Sequence, residues 1–301
     1  MLTRREFGAL ALSTVALPSV LRAQTVSGVR LGVQTYSFRE LMRPPGGDMV
    51  DPIIFAMKEC GLSECELWAP QIEPASTFGR GRPTAEQAQQ TRDAVRKWRL
   101  ETPLDHFRAI RKKFESSGMT IYAFNYSPNN NFSDAEIDRG FEMAQALGAA
   151  IITASATLEA ARRMVPFAAK HKMPVAMHNH SNVTDPNEFA TLDSLATAMK
   201  LSPFFRINLD IGHFTAANYD AVAYIREHHA SITNLHLKDR KKAQGDNTAW
   251  GTGDTPIRDV LQLLKKERWP IRAYIEYEHR GEASPIDEVK KCYAFTKSAL
   301  A

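Results

Sequence analysis

The chain has 301 residues, 44% apolar and 24% charged, the composition of an ordinary folded protein long enough to bury a substantial core. Its formal charge is +4, but residues 1–23 contain three arginines and one glutamate, so the remainder carries only +2; this excludes the strong basic field of a nucleic-acid binder. The three cysteines, Cys60, Cys65 and Cys292, form no CxxC pair, which excludes a disulfide framework and leaves them as buried or idle thiols.

In chain order, the first feature is a leader. Thr3-Arg4-Arg5-Glu6-Phe7 is a twin-arginine pattern, an apolar run from Leu10 to Val20 follows, and Leu21-Arg22-Ala23 offers a small-residue cleavage point. The run is too short to span a bilayer, which takes about 20 apolar residues, and no second apolar segment suggests a membrane anchor. Residues 1–23 are therefore expected to be an export signal, and residues 24–301 a folded domain delivered to the periplasm. Export in the folded state suits an enzyme that loads a metal in the cytoplasm.

Beyond the leader, short β-type runs alternate with longer helical stretches eight times. Strand one is read at 30–36, with a helix at 50–60. Strand two, Glu64 to Trp68, is followed by a polar stretch (70–83) and two helices, 84–98 and 104–117. Strands three to five fall at 119–125, 150–154 and 174–178, with helices at 133–147, 157–171 and 186–200. Strands six to eight fall at 206–210, 232–237 and 271–276, with helices at 219–228, 256–267 and 285–299. Ser133 to Glu136 has the spacing of a capping box, and Gly61, Gly118 and Gly148 sit where helices end. Strictly alternating strands and helices imply a parallel sheet, and eight such units match a (β/α)₈ TIM barrel of roughly 250 residues. A doubly wound sheet is the competing α/β arrangement. It calls for a Gly-rich loop after strand one, where the chain reads Gln34-Thr35-Tyr36-Ser37-Phe38.

In a TIM barrel the active site lies at the C-terminal ends of the strands. Those ends carry Glu66, Asn125, His178, His180, Asp210, His213, His236, Lys238, Asp239 and Glu276, with Glu278 and His279 beyond. Five of the nine histidines (178, 180, 213, 236 and 279) are among them. Burying such groups unpaired costs several kcal/mol each, and sharing one divalent cation removes that cost. A mixed nitrogen and oxygen set from His178, Asp210, His236 and Glu276 suits Mn²⁺, Co²⁺, Zn²⁺ or Fe²⁺ better than Mg²⁺ or Ca²⁺. Ligands spread over four strands leave one side open to substrate, as catalytic sites do. His213 fits either an orienting hydrogen bond to Asp210 or a substrate contact, and His180 fits either a cap or a substrate contact. The helical His106, His171, His228 and His229 read as solvated.

Taken together, the segments ECELW (64–68), AMHNHSN (176–182), NLDIGHF (208–214), LHLKDR (235–240), WGTGD (250–254) and YIEYEH (274–279) resemble the xylose isomerase-like TIM-barrel family of sugar phosphate isomerases and epimerases. That resemblance implies one divalent metal on His178, Asp210, His236 and Glu276. It also implies Glu276 as a proton carrier, Lys238 as the group that steadies an enediolate oxygen, and His213 or His180 as a second acid/base. Glu66, Asn125, Asp239 and Arg240 are expected to contact substrate. In the ketose epimerases of the family two glutamates pass a proton across the sugar, and the strand-five ligand is one of them; here that position is His178. The resemblance extends to a three-metal endonuclease of base-excision repair, but the loop 240–254 lacks the histidine that site needs. The expected function is thus a metal-dependent isomerase or epimerase acting on a keto-sugar. A lyase or hydrolase acting on a 3-keto-glycoside is the alternative on the same site, and a non-catalytic sugar-binding protein the alternative from another class. The expected partner is a small carbohydrate; self-association is left open.

Overall fold

The structure is a computed structural model that describes residues 25–74 and 83–301; the leader expected at 1–23 lies outside the described residues. Eight parallel strands run in chain order: β2 (Val29–Gln34), β3 (Glu64–Trp68), β4 (Thr120–Asn125), β5 (Ile151–Ala154), β6 (Val175–His178), β7 (Phe205–Asp210), β8 (Ile232–Leu237) and β9 (Arg272–Ile275). β9 pairs back onto β2, from Arg30 opposite Arg272 to Val33 opposite Ile275, and closes the barrel. A short β1 (Thr25–Val26), too brief to leave a pattern in the sequence, pairs antiparallel with β2. Ser27 (φ 49°) and Gly28 (φ 86°) make that turn in the left-handed region a tight hairpin demands. Ser27 Oγ donates to the Leu300 carbonyl at 2.9 Å and ties the hairpin to the last helix.

The helices cover the outside: α1 (Val50–Cys60), α2 (Ala85–Glu101), α3 (Leu104–Ser116), α4 (Asp134–Leu147), α5 (Leu158–His171), α6 (Leu192–Leu201), α7 (Ile211–Ala216), α8 (Ala221–His228), α9 (Ile257–Glu267) and α10 (Pro285–Leu300). Capping boxes start three of them: Thr84 with Gln87, Ser133 with Glu136, and Thr191 with Ser194. Gly61 and Gly148 end α1 and α4 in the left-handed conformation. The main core lies between barrel and helices, and the three cysteines are buried there as free thiols.

Two helices start more than one residue later than the sequence reading has them. The helix expected from 186 starts at Leu192, because side chains bend 182–190 into turns. Asn182 Oδ1 accepts from the Thr184 amide (3.2 Å), Asp185 Oδ1 from the Asn187 amide (2.8 Å), and Glu188 from the Asn182 amide (3.1 Å). The helix expected from 219 starts at Ala221, preceded by the unforeseen α7. Asp210 caps α7 by accepting from the His213 amide at 2.7 Å.

Alternation along each strand sorts the barrel interior into layers. At the lowest level Arg272 and Tyr274 both donate to Glu64 Oε1 (2.9 and 2.8 Å), with the Arg272 guanidinium over the Tyr122 ring. The Tyr274 ring crosses the barrel so closely that a Cβ on Gly32 would lie 2.5 Å from it, so β2 has room only for glycine there. Ala123, Ile151 and Ala176 form a small apolar cluster separate from the main core. Glu66, Asn125, Thr153 and Asn234 make a buried polar layer, joined by hydrogen bonds to one carboxylate. The strand ends then present His178, Asp210, His236 and Glu276.

Candidate metal centre

His178 ends β6, Asp210 ends β7, His236 is the fifth residue of β8, and Glu276 follows β9 directly. Adjacent parallel registers bring them together: His178 stands opposite Asn208, and Asp210 opposite His236. One ligand atom from each of the four residues lies within 4.8 Å of the others. Four of the buried atoms without a hydrogen-bond partner are His178 Nδ1, Asp210 Oδ2, His236 Nδ1 and Glu276 Oε2, one from each. Buried polar atoms are nearly always satisfied, so four orphans converging on one point are donors suited to a divalent cation. The residues present therefore fit a metal.

Lys238 follows β8 and sends its ammonium into the same space. Nζ is 2.9 Å from Asp210 Oδ2, 2.9 Å from Glu276 Oε2 and 2.8 Å from Glu278 Oε2. For Asp210 and Glu276 this is ion-pair contact without hydrogen-bond alignment, which is why their oxygens remain orphaned. Burial pushes the lysine down, but Asp210, Glu276 and Glu278 more than offset it, and Lys238 is held above its ordinary range as a cation. Burial likewise pushes Asp210 and Glu276 up, while Lys238 and His236 pull both below the usual carboxylate range.

The histidines divide into two kinds. Burial, reinforced by neighbouring His236 and His180, holds His178 neutral, and burial reinforced by Lys238 does the same for His213. Neutral imidazole is the form that ligates a metal. His236 lies between two carboxylates, with Nδ1 3.0 Å from Glu276 Oε2 and Nε2 2.9 Å from Glu66 Oε2. Burial pushes His236 down, but those carboxylates outweigh it and raise it well above its ordinary value. Nearby, His180 Nδ1 donates to Glu188 Oε1 (2.9 Å), and Arg240 donates to His213 Nδ1 (2.7 Å). His178, His180 and His213 form a second group with ligand atoms within 4.8 Å, so His178 belongs to both groups and His180 only to the outer one.

Above these groups lies a cavity of about 190 Å³ walled by Gln34, Tyr36, Trp68, Asn125, Ser155 and Glu278, among others. Tyr36 and Trp68 meet edge to face at 4.7 Å on one side. A larger cavity of about 780 Å³ between α8 and α9, lined by Tyr219, Arg226, Lys242 and Lys266, holds neither ligand group and is remote from this chemistry.

Of the expected substrate contacts, Asn125 reaches the cavity wall. The other three do not line it. Glu66 is wholly buried beneath the floor, where Gln34, Asn125, Thr153, Asn234 and His236 surround it. Asp239 is buried and accepts from the amides of Gly251, Gly253 and Thr255, shaping the loop after β8. Arg240 is spent on Ser181, His213 and the Gly245 carbonyl. Strand-end reasoning passed over Gln34, Tyr36, Trp68 and Ser155, and it named Glu278 without giving it a role. All five lie at or just past the ends of β2, β3, β5 and β9, the positions that reasoning searches.

A model of the family described as Xylose isomerase-like TIM barrel matches residues 58–298. Among solved structures, a sugar phosphate isomerase/epimerase from Parabacteroides distasonis is 15% identical, with a TM-score of 0.62 over 92% of this chain and 98% of that one. A D-psicose 3-epimerase is 12% identical, with a TM-score of 0.62 over 90% and 99%. The 3-keto-D-glucoside 4-epimerase YcjR from E. coli is 13% identical, with a TM-score of 0.61 over 90% and 99%. A comparison with curated protein sequences finds none that matches.

Proposed function

The chain belongs to the xylose isomerase-like TIM barrel family, and on that footing we propose that it is a divalent-metal-dependent enzyme that moves a proton next to the carbonyl of a keto-sugar or sugar derivative. The observation that carries this reading is the convergence of four buried, unbonded ligand atoms at the barrel mouth, on His178, Asp210, His236 and Glu276. A divalent ion held there supplies Lewis-acid polarisation of a carbonyl and acidity at the adjacent C–H. Glu276 takes up and returns that proton, help typically worth ~10²–10⁴-fold. Lys238, a buried permanent cation, offsets charge developing on the enediolate oxygen. His213 and His180, both lining the cavity, serve the second proton position. The substrate is a small carbohydrate, consistent with a cavity of about 190 Å³. We extend the proposal to the cell: the twin-arginine pattern at Thr3 to Phe7 and the apolar run after it support export of the working enzyme to the periplasm.

A second reading rests on His178. Ketose epimerases in this family pair two glutamates across the sugar, and a histidine turned toward a metal site is a poor replacement for one of them. A chain with a single such carboxylate suits elimination or hydrolysis of a 3-keto-glycoside. The test is to load the purified protein with Mn²⁺, Co²⁺, Zn²⁺ or Fe²⁺ and follow ketoses and 3-keto-glycosides in D₂O by NMR. Deuterium entering the C–H beside the carbonyl with the ring intact supports isomerisation or epimerisation, and loss of the aglycone supports the second reading. Tight binding with no exchange and no product would make the protein a sugar binder. Full activity in Glu276→Gln would remove Glu276 from the proton step.

A further inference from the structure

Glu66 is wholly buried, as Asp210 is, and among the described residues its one counter-ion is His236. Its Oε1 accepts three hydrogen bonds, from Gln34 Nε2 (2.6 Å), Asn125 Nδ2 (3.1 Å) and Thr153 Oγ1 (2.6 Å). Its Oε2 accepts from Asn234 Nδ2 (3.0 Å) and faces His236 Nε2 at 2.9 Å. These partners come from β2, β4, β5 and β8, so the position of the carboxylate is fixed from all round the barrel. Nothing on the surface explains a buried anion there; its one ionisable partner is the imidazole.

We propose that Glu66 is a positioning residue that sets which nitrogen of His236 faces the metal. A carboxylate 2.9 Å from Nε2 keeps a proton on that nitrogen, and Nδ1, an orphaned buried atom, is thereby left to ligate. Asn208 Nδ2 is also 3.0 Å from Nε2 and would favour the opposite arrangement. The charge-assisted bond to the carboxylate is the stronger of the two. Asn234, donating to Asn208 Oδ1 at 2.9 Å, is what turns that amide nitrogen toward Nε2. The polar layer under the metal is in this view an alignment device: four donors, Gln34, Asn125, Thr153 and Asn234, orient one carboxylate, and the carboxylate orients one ligand. The inference rests on the metal reading above, through His236 as ligand.

The experiment is calorimetric titration of Mn²⁺ into the wild-type protein, E66Q, H236Q and the double variant, with circular dichroism and thermal unfolding on each. E66Q keeps the side chain's shape and is expected to bind Mn²⁺ roughly 10- to 100-fold more weakly with an unchanged fold. In the H236Q background the same substitution is expected to change nothing further, because its effect runs through His236. In zinc-loaded wild-type protein the Nε2–H of His236 should appear as a slowly exchanging downfield proton, and E66Q should lose it. Unchanged Mn²⁺ affinity in folded E66Q would overturn the proposal, as would an equal loss in the H236Q background. Should E66Q fail to fold, E66D keeps the charge but withdraws it by one methylene: a smaller loss of affinity supports the proposal, and wild-type affinity overturns it. If the wild-type protein itself binds no Mn²⁺, the metal reading fails, a result separate from any behaviour of Glu66.

Discussion

The Lys238 ammonium stands 2.9 Å from Asp210 Oδ2, at the point where the buried ligand atoms converge. The same nitrogen reaches Glu276 and Glu278, so one buried cation balances three carboxylates, two of them buried and the third, Glu278, partly exposed. Removing it leaves them uncompensated, and breaking a buried ion pair by deleting one partner costs about 3–5 kcal/mol. Lys238→Met is therefore expected to lower the unfolding free energy by that order. Because a divalent ion supplies the missing charge, Mn²⁺ should restore much of the loss in denaturant titrations of the variant. A variant as stable as wild type in the absence of Mn²⁺ would contradict this account of the charge balance.

Stripping metal should itself be visible in stability. An ion bound only by the folded protein stabilises it by about 2.7 kcal/mol at one hundred times its Kd. Thermal unfolding with and without EDTA is expected to show this difference for the wild-type protein. For Asp210→Asn and His178→Ala it should be much reduced, since each removes one of the four converging atoms.

The position of His178 offers a direct test of the chemistry. His178→Glu restores the residue type that ketose epimerases of the family carry on that strand. The variant is expected to keep metal binding and to gain epimerisation of a free ketose, read by NMR as appearance of the second epimer. Metal binding with no new epimer would show that more than this one residue separates the chain from a two-glutamate enzyme.

Away from the centre, Glu136 links α2 to α4. It accepts from Arg96 (2.9 Å), Arg99 (3.1 Å) and the Ser133 amide (2.8 Å). Burial pushes its carboxyl up, but the Ser133 amide, Arg96, the Ser133 hydroxyl and Arg99 more than offset that, and the net shift is downward. A group depressed in the folded state gives stability that is fully present above its unfolded value near 4.5 and is lost as pH falls through the folded value. Glu136→Gln should cost about 2 kcal/mol at neutral pH. Its deficit relative to wild type should shrink as pH drops below 4, measured by urea unfolding across that range.

Gly32 gives a test of the barrel's interior. A methyl there meets both the Tyr274 ring (2.5 Å) and the Glu64 carbonyl (2.6 Å), and the latter is backbone that cannot swing aside. Gly32→Ala is expected to destabilise by about 1–3 kcal/mol or more, as overpacking does, and calorimetry of the variant reads it as a lower Tm.

The barrel and the grouping of four candidate ligands were legible because they depend on pattern: strands of period two, helices between them, and metal-type residues where strands end. What escaped depends on depth and on local side-chain bonding. Glu66 reads as another strand-end polar residue, but its carboxylate is wholly buried and enclosed by Gln34, Asn125, Thr153 and Asn234, side chains from distant parts of the chain that only the closed barrel brings together. Glu278 is three residues past a strand, where direction is set by the loop, and there its carboxylate meets Lys238. The helix expected from 186 begins only at Leu192, because the carboxylates and amides of 182–190 fold back on their own backbone. Asp210 was read as a ligand; that it also caps α7, and so fixes His213, needed the coordinates.

The closure of β9 on β2 has a consequence for how the protein matures. The two strands are separated by nearly the whole sequence, so their pairing is a contact of high order and slow to form. Glu276 follows β9, while His178, Asp210 and His236 come from the three strands before it. The ligand set is thus complete when β9 docks against β8, and the same step brings β9 beside β2 to finish the ring. A divalent ion that engaged all four residues would favour that docked state over the open intermediates, so its capture would double as a latch on the last strand.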